Sequence, residues 1–432
     1  MIRLLNAVSV YLCEGADAQI HVGTLYGSFQ GGRQLAATSF EYDPTYLGRP
    51  EAYALSPDLP LQPGRVYTGS DTNMFGAFAD ATPDDWGTSL IDAQWANERG
   101  EGQPASLGAF DHLVQLNDDT RLGALRFTPV GEPDWLTVDG HTAARLVDAE
   151  RLAVAAARFE QYEATEEDVE LLGWAGSSLG GARPKATIAD GDGLWLLKLP
   201  SNRDRRSDIE AWEAVALELA DRAGLRVPRR RLIRSEDHGS SLLIARFDRK
   251  PRGGEAPAER IGYQSAHSAM QISSVQDRRT YEDFADTIDH LTGSRADLEE
   301  MFGRIALNVL IGNVDDHWRN HGFVRENGGW RLSPLFDVNP TRAGSRVQAR
   351  QISASDDPFN RDIRMLVGSR DVYAVSASRA AEIVGRVADA VAQWREVAAE
   401  AGIATGEIES MAAAFSEAQL EHAREYVAAH AR

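Results

Sequence analysis

Asp315, Asn320 and Asp337 are the residues of this chain whose types and spacing speak most directly of chemistry. Asp315 and Asn320 stand five apart in GNVDDHWRNHGFV, and Asp337 follows Asp315 by 22 positions in SPLFDV. An aspartate that orients an attacking hydroxyl, an asparagine that binds a metal, and a second metal-binding aspartate beyond a hairpin are the parts of a phosphoryl-transfer site. Mg²⁺ takes oxygen ligands and keeps several waters, so two side chains and the phosphates of a nucleotide complete its shell. Asp315-Asp316 alone reads as a polar helix exit; the ordered set is far more specific. Lys198, in the apolar strand LWLLKLP, is the type of lysine that holds phosphates, and Glu213, on the next helix, is placed to orient it. Glu210 is the alternative partner, but a capping role accounts for it.

Two other patterns compete. His317 and His321 are four apart, yet Trp318, Arg319 and Asn320 lie between them, without the glutamate of a zinc-protease motif. Gly176-Ser177-Ser178-Leu179-Gly180 matches the G-x-S-x-G of a serine-hydrolase elbow, which requires a strand before it and a helix after it. Here a helical pattern precedes, and Pro184 and a strand follow. A loop leading into a strand suits backbone N–H groups that cradle phosphates.

The elements that must position these residues are legible. Residues 1 to about 128 are rich in Gly, Pro, Thr and aromatics and read as short strands and turns, with helix around Asp84 to Ala96. Asp148 to Leu172 reads as helical, with Thr165 as a cap. KATIA, the turn DGDG and LWLLKLP form two strands. Ser207 with Glu210 reads as a capping box opening a helix with Ile209, Trp212, Ala216, Leu219 and Ala223 on one face, ended by Gly224. RRRLIRS and SLLIARFDR are strand-like. Ser294 with Asp297 opens a helix that stops at Gly312, and GFV and WRL flank a turn at Glu326-Asn327-Gly328-Gly329. Residues 376–431 are Ala-rich and helical.

The chain has 432 residues, enough for two or three domains, with 43% hydrophobic and 25% charged residues. A formal net charge of −20 repels nucleic-acid phosphates and argues against a stand-alone DNA or RNA binder. A single cysteine, Cys13, allows no intrachain disulfide and suits a reducing cytoplasm. No apolar run approaches the roughly 18 residues of a membrane span. The opening MIRLLNAVSVYLCEG, broken by Asn6 and Ser9, reads as a first β-strand rather than a signal peptide.

SSLGGARPKA, LLKLP, EAVALELADRAGL, ARFDR, NVLIGNVDDHWRNHGF and WRLSPLFDVNP, in this order over about residues 170 to 345, resemble the HipA family of bacterial toxin kinases. FADATPDDWG and LGALRF are weakly similar to that family's β-rich N-terminal subdomain. The resemblance implies an α+β, bilobal kinase-like fold. It divides into a β-rich N-terminal subdomain (1–128), a small mixed ATP-binding lobe (129–262) and an all-α, mainly helical catalytic lobe (263–432). It implies ATP and Mg²⁺ as cofactors, Asp315 as the catalytic aspartate, and Asn320 and Asp337 as metal ligands. Lys198 would contact phosphates with Glu213 as its partner. Ser178, Leu179, Gly180, Gly181 and Ala182 would cover them, and His317 would lie among the nucleotide-binding residues. Gln264 and Ala266, in RIGYQSAHSAM, would meet the adenine; the family usually places acidic residues at the centre of that stretch, where Gln264 and Ser265 stand here.

Family members are serine/threonine kinases that autophosphorylate a loop serine and shut themselves off. Ser178 aligns with that serine and Ser177 is its rival; Arg183 and Lys185 are close enough in sequence to hold the phosphate outside the site. In the better-known branch an aminoacyl-tRNA synthetase is the protein substrate, growth is arrested in a state of persistence, and the partner is a small helix-turn-helix antitoxin that carries the contact to operator DNA. The competing classes are a kinase-like corepressor that binds nucleotide without catalysis, and a kinase of small molecules or lipids; no basic amphipathic segment suggests a membrane.

Overall fold

The computed structural model describes residues 2–15, 19–136, 144–174, 181–191, 193–204, 207–235, 239–252, 258–273, 278–341, 350–357 and 361–430. The chain forms an α+β fold of two compact units. Unit 1 comprises residues 1–202, 243–275 and 324–328; unit 2 comprises 203–242, 276–323 and 329–432. The first break between the two units falls after Asn202.

Unit 1 is built on a five-stranded antiparallel sheet in the order Arg65–Tyr67, Gln34–Tyr42, Ile20–Gln30, Ala7–Leu12, Leu125–Pro129. MIRLLNAVSVYL thus contributes a central strand, as its broken apolar pattern suggested. Val8, Val10, Val22, Leu25, Phe40, Phe78, Phe110 and Phe127 meet in one core on the sheet. The helix Asp85–Glu98 follows, capped by Asp84, whose side chain accepts from Gly87 N. Further along, Ala149–Glu160 and Glu166–Trp174 form the expected helical stretch. Thr165 and Asp168 cap the second helix reciprocally, each side chain accepting the other's backbone N–H at 3.0–3.1 Å. The strands Lys185–Asp190 and Gly193–Lys198 then pair as a hairpin, in the register Lys185 to Lys198 and Ala186 to Leu197.

A buried ionic network ties distant segments of this unit. Asp248, fully buried in ARFDR, accepts from Arg246 Nη2 and Arg249 Nη1, each at 2.6 Å, and from Gly123 N at 2.8 Å. Burial alone raises a carboxyl's pKa, but these two guanidinium groups overcome it and hold Asp248 far below the usual range. Burial pushes the neighbouring Arg121 down to about 10, with its side chain donating to Ala81 O, Leu113 O and Leu116 O.

Unit 2 is mainly helical. Its helix Ile209–Arg222 buries Trp212 against Trp394 and Phe415, which are themselves stacked at 4.1 Å. The Ser207–Glu210 capping box is not formed. Asp208 caps the helix through Ala211 N at 3.1 Å, while Ser207 Oγ donates to Glu407. Glu407 Oε1 also receives Asp208 N and Trp212 Nε1, so a carboxylate distant in sequence takes the hydroxyl that local pattern had assigned. Glu210 is buried, and capping no longer accounts for it. Ser294 does cap the helix Arg295–Leu310, through Asp297 N. Residues 324–328 belong to unit 1, and there Asn327 and Gly328 stand at φ 51° and 80°, as a two-residue hairpin turn requires.

Candidate active site

In unit 2 the site grows from the end of Arg295–Leu310, whose inner turns are buried from Met301 to Leu310. Gly312, at φ 61°, ends it, with Gly312 N donating to Val309 O and Asn313 N to Asn308 O. A Cβ at Gly312 would meet Ala414 O at 2.5 Å, so both conformation and space demand glycine. The chain then enters an irregular loop held from behind. Asn313 Oδ1 accepts Asp315 N at 3.2 Å. Asp316 is buried, receives Asn308 Nδ2 at 2.7 Å, and lies 2.7 Å from His321 Nε2. Arg361 donates to Tyr281 Oη and to Asn313 O.

Burial opposes ionisation of Asp316, but His321 and Arg361 outweigh it, and its carboxyl titrates below the usual range. A carboxylate whose folded pKa is depressed contributes stability above its unfolded pKa and loses it as pH falls through the folded value. The contribution of the Asp316 carboxylate is therefore lost only as pH falls through its depressed folded value.

This scaffold leaves Asp315 exposed at the loop's apex and Asn320 buried beside it. Asn320 Nδ2 donates to Asp315 O at 3.2 Å and to Asp337 O at 3.4 Å. Asp337 N donates to Glu213 Oε1 at 3.1 Å, from the buried face of Ile209–Arg222. Asp337 adopts φ 54°, a left-handed conformation that costs a non-glycine residue roughly 1 kcal/mol and that here is held by these contacts. The structure thus brings Asp315, Asn320, Asp337 and Glu213 together. His317 and His321 do not converge: His321 serves Asp316, and no group of three or more His, Cys, Asp or Glu among the described residues could hold a metal.

In unit 1, Lys198 ends the strand Gly193–Lys198. Lys185, opposite it, is not a collector for a loop phosphate. Its side chain is 3% exposed and Nζ donates to Asp84 Oδ2 at 2.6 Å and to Gly181 O at 3.1 Å. Burial and a committed partner remove it from that role. Gly181 and Ala182 are described, with Gly181 at φ 103°; Ser177, Ser178, Leu179 and Gly180 lie outside the described residues. Gln264 is buried in the strand Tyr263–Ser265, and its Nε2 has no hydrogen-bond partner among the described residues. Ala266 starts the short helix Ala266–Ala269, capped by Ser265.

The residues fit Mg²⁺ and a nucleotide. Two carbonyls beside Asn320 Nδ2 turn its oxygen away from them, where it can ligate. Asp337 is a second oxygen donor, and Mg²⁺ needs no larger protein cage. Gln264 Nε2 is a buried donor awaiting an acceptor, of the kind a purine ring supplies.

Sequence reasoning missed Asp84. A signal was present: among 45 basic residues only Lys185, Lys198 and Lys250 are lysines. A compact ammonium kept at Lys185 in an arginine-rich chain marks a specific, buried partner.

An α+β fold with this aspartate–asparagine–aspartate cluster is of the HipA kinase-like class. The family model for the HipA-like C-terminal domain matches residues 177–395, half of the chain, and the chain belongs to that family. The HipA toxin in the solved complex of HipA, HipB and operator DNA from Shewanella oneidensis MR-1 superposes with a TM-score of 0.65 over 98% of this chain and 99% of that one, at 17% identity. A presumed kinase of Sinorhizobium fredii, Y4dM, is 28% identical over 203 residues, 44% of this chain and 46% of its own length. The match thus spans about half of that relative. The Helicobacter pylori proinflammatory kinase CtkA gives a TM-score of 0.43 at 13% identity over 58% of this chain. No helix among the described residues is long and apolar enough to cross a membrane.

Proposed function

We propose that the chain is an ATP- and Mg²⁺-dependent serine/threonine protein kinase that acts as the toxin of a toxin–antitoxin pair in the cytoplasm. The observation that carries the reading is the amide of Asn320 spanning the carbonyls of Asp315 and Asp337, with Glu213 on the Asp337 N–H. In this reading Asp315 orients the acceptor hydroxyl and receives its proton. The hydroxyl oxygen bonds to the γ-phosphorus as the bridge to the β-phosphate breaks and ADP leaves. Bound Mg²⁺ would offset the charge on the phosphate oxygens. Asn320 and Asp337 hold it, Lys198 holds the phosphates, Glu213 positions the site, and Gln264 and Ala266 face the base. The protein substrate is a cytoplasmic protein, an aminoacyl-tRNA synthetase by family likeness. The partner is a small helix-turn-helix antitoxin, through which operator DNA is reached; the net charge of −20 suits a chain that leaves DNA to its partner.

Asp337→Ala is expected to weaken binding of Mg-ATP by about tenfold or more while leaving metal-free ATP binding near that of the wild type. Calorimetry with and without Mg²⁺ decides it, and an equal loss in both would remove Asp337 from the ligand set.

Ser178 is expected to be phosphorylated by the enzyme itself and the product to be inactive. A phosphoserine adds about −1.5 to −2 charges at pH 7, which repel nucleotide phosphates. Mass spectrometry after incubation with Mg-ATP should find the phosphate on Ser178 and none in an Asp315→Asn variant. Phosphate confined to other residues, Ser177 included, or full activity of the modified form, would defeat the idea.

A further inference from the structure

In GNVDDHWRNHGFV the phosphoryl-transfer reading uses Asp315 and Asn320 and leaves Asp316 and His321 without a part. Both are buried, with Asp316 Oδ1 2.7 Å from His321 Nε2. A polar helix exit would leave its carboxylate in water; burying one is costly unless it is fully hydrogen-bonded. The second oxygen, Oδ2, accepts Asn308 Nδ2 at 2.7 Å. Asn308 lies in the last turn of the helix Arg295–Leu310 and is itself buried.

Asn308 is bonded at both ends of its amide. Its Oδ1 accepts Asn313 Nδ2 at 3.1 Å, and Asn313 Oδ1 accepts Asp315 N at 3.2 Å. One arm thus runs from the amide oxygen through Asn313 to the backbone of Asp315. The other runs from the amide nitrogen through Asp316 to His321, the residue after Asn320. The Asn320 side chain, donating to Asp315 O at 3.2 Å, closes the circuit on the residue where it began. The direction of each bond is fixed by chemistry. A carboxylate only accepts, so Asn308 turns its nitrogen to Asp316 and its oxygen to Asn313, and His321 carries its proton on Nε2. The His321 ring is walled by Tyr281, Phe284 and Trp318, with ring centroids 5.4–6.2 Å away.

We infer that Asn308, Asp316 and His321 are positioning residues that together set Asp315 against Asn320, the group that takes the hydroxyl proton against a ligand of the metal. The inference rests on the proposed roles of Asp315 and Asn320. None of the three touches nucleotide, metal or acceptor hydroxyl; each acts through the backbone next to a residue that does. Their common origin is one amide on a buried helix, so both catalytic groups are referred to a single rigid point. Such referral matters because a misplacement of about 1 Å can lower a rate by about 10²-fold. The second aspartate and the last histidine of the motif, which fitted neither a helix exit nor a zinc pair, thereby acquire a role.

An exchange of amide and carboxylate tests the circuit, and cutting each arm separates its two ends. The full chain is assayed for single-turnover transfer from ATP and titrated by calorimetry with Mg-ATP and with metal-free ATP. Asn308→Asp sets a second carboxylate against Asp316 and is expected to lose about tenfold or more in both transfer and Mg-ATP affinity. Asn308→Asp/Asp316→Asn keeps the net charge and restores every bond: the carboxylate now at 308 accepts from Asn313 and from the amide at 316, whose oxygen accepts His321 Nε2–H. It is expected to recover most of both losses. Asn313→Ala cuts the arm to Asp315 and is expected to lower transfer about tenfold with Mg-ATP affinity unchanged. His321→Phe keeps the ring packing, cuts the arm to Asn320, and is expected to lower Mg-ATP affinity about tenfold with metal-free ATP affinity unchanged. Circular dichroism and thermal melting establish that each variant is folded; if Asn308→Asp does not fold, Asn313→Ala and His321→Phe carry the test. Folded variants that match the wild type, variants that lose transfer and both affinities together as general loosening would, or an exchange as impaired as Asn308→Asp alone, overturn the inference and leave the kinase reading standing. A wild-type chain that neither binds Mg-ATP nor transfers phosphate overturns that reading and this inference with it.

Discussion

Asp315→Asn is expected to give a folded protein whose phosphate transfer falls by about 10² to 10⁴, the range that one positioned acid–base group supplies. The side chain is exposed at the apex of its loop, and asparagine has the same shape. Surface substitutions of this kind alter stability by only about 0.5 kcal/mol. The backbone contacts that hold the loop are unaffected: Asp315 N still reaches Asn313 Oδ1, and Asp315 O still receives Asn320. The loss therefore falls on turnover, with Mg-ATP affinity little changed. Single-turnover transfer from labelled ATP, set beside ATP affinity, checks this. Equal rates in variant and wild type would remove Asp315 from the chemistry.

Asp248→Asn carries the largest expected effect on stability. Asp248 is fully buried and balances Arg246 and Arg249 while accepting Gly123 N. An amide of the same size leaves two guanidinium groups buried without a carboxylate, which costs about 3–5 kcal/mol. The folded pKa lies far below the unfolded one, so this stabilisation is complete at neutral pH and declines only as pH falls through the acid range. Denaturant unfolding at pH 7 should show the full loss, and the gap between variant and wild type should narrow in acid. A loss under about 1 kcal/mol at pH 7 would mean that the cluster is not a unit.

What was legible in the sequence was local. The Asp315, Asn320 and Asp337 spacing could be read because one short loop and one hairpin connect them. Thr165 with Asp168 and Ser294 with Asp297 follow their local signals because each cap is closed within three residues. Ser207 failed as a capping box because its hydroxyl is taken by Glu407, 200 residues away. Lys185 was misassigned for the same reason: its neighbours in sequence suggested a phosphate, whereas its partner Asp84 lies 101 residues earlier. SLLIARFDR was legible as a strand but its buried ion cluster was not, since only the fold brings Gly123 and the Arg121 carbonyl to Arg246, Asp248 and Arg249. Asp337's left-handed backbone had no sequence signal, because aspartate is an ordinary residue there only when its surroundings hold it.

The central claim is that this cluster transfers phosphate from ATP to protein. Its most direct test is incubation of the purified full chain with ATP labelled in the γ-phosphate, with Mg²⁺ and with a chelator in its place, alone and with a cytoplasmic extract. The account predicts label on protein with Mg²⁺, none with the chelator, and a loss of about a hundredfold or more in rate for Asp315→Asn. A chain that binds Mg-ATP yet labels neither itself nor any protein in the extract would contradict the account and leave a nucleotide-binding corepressor in its place.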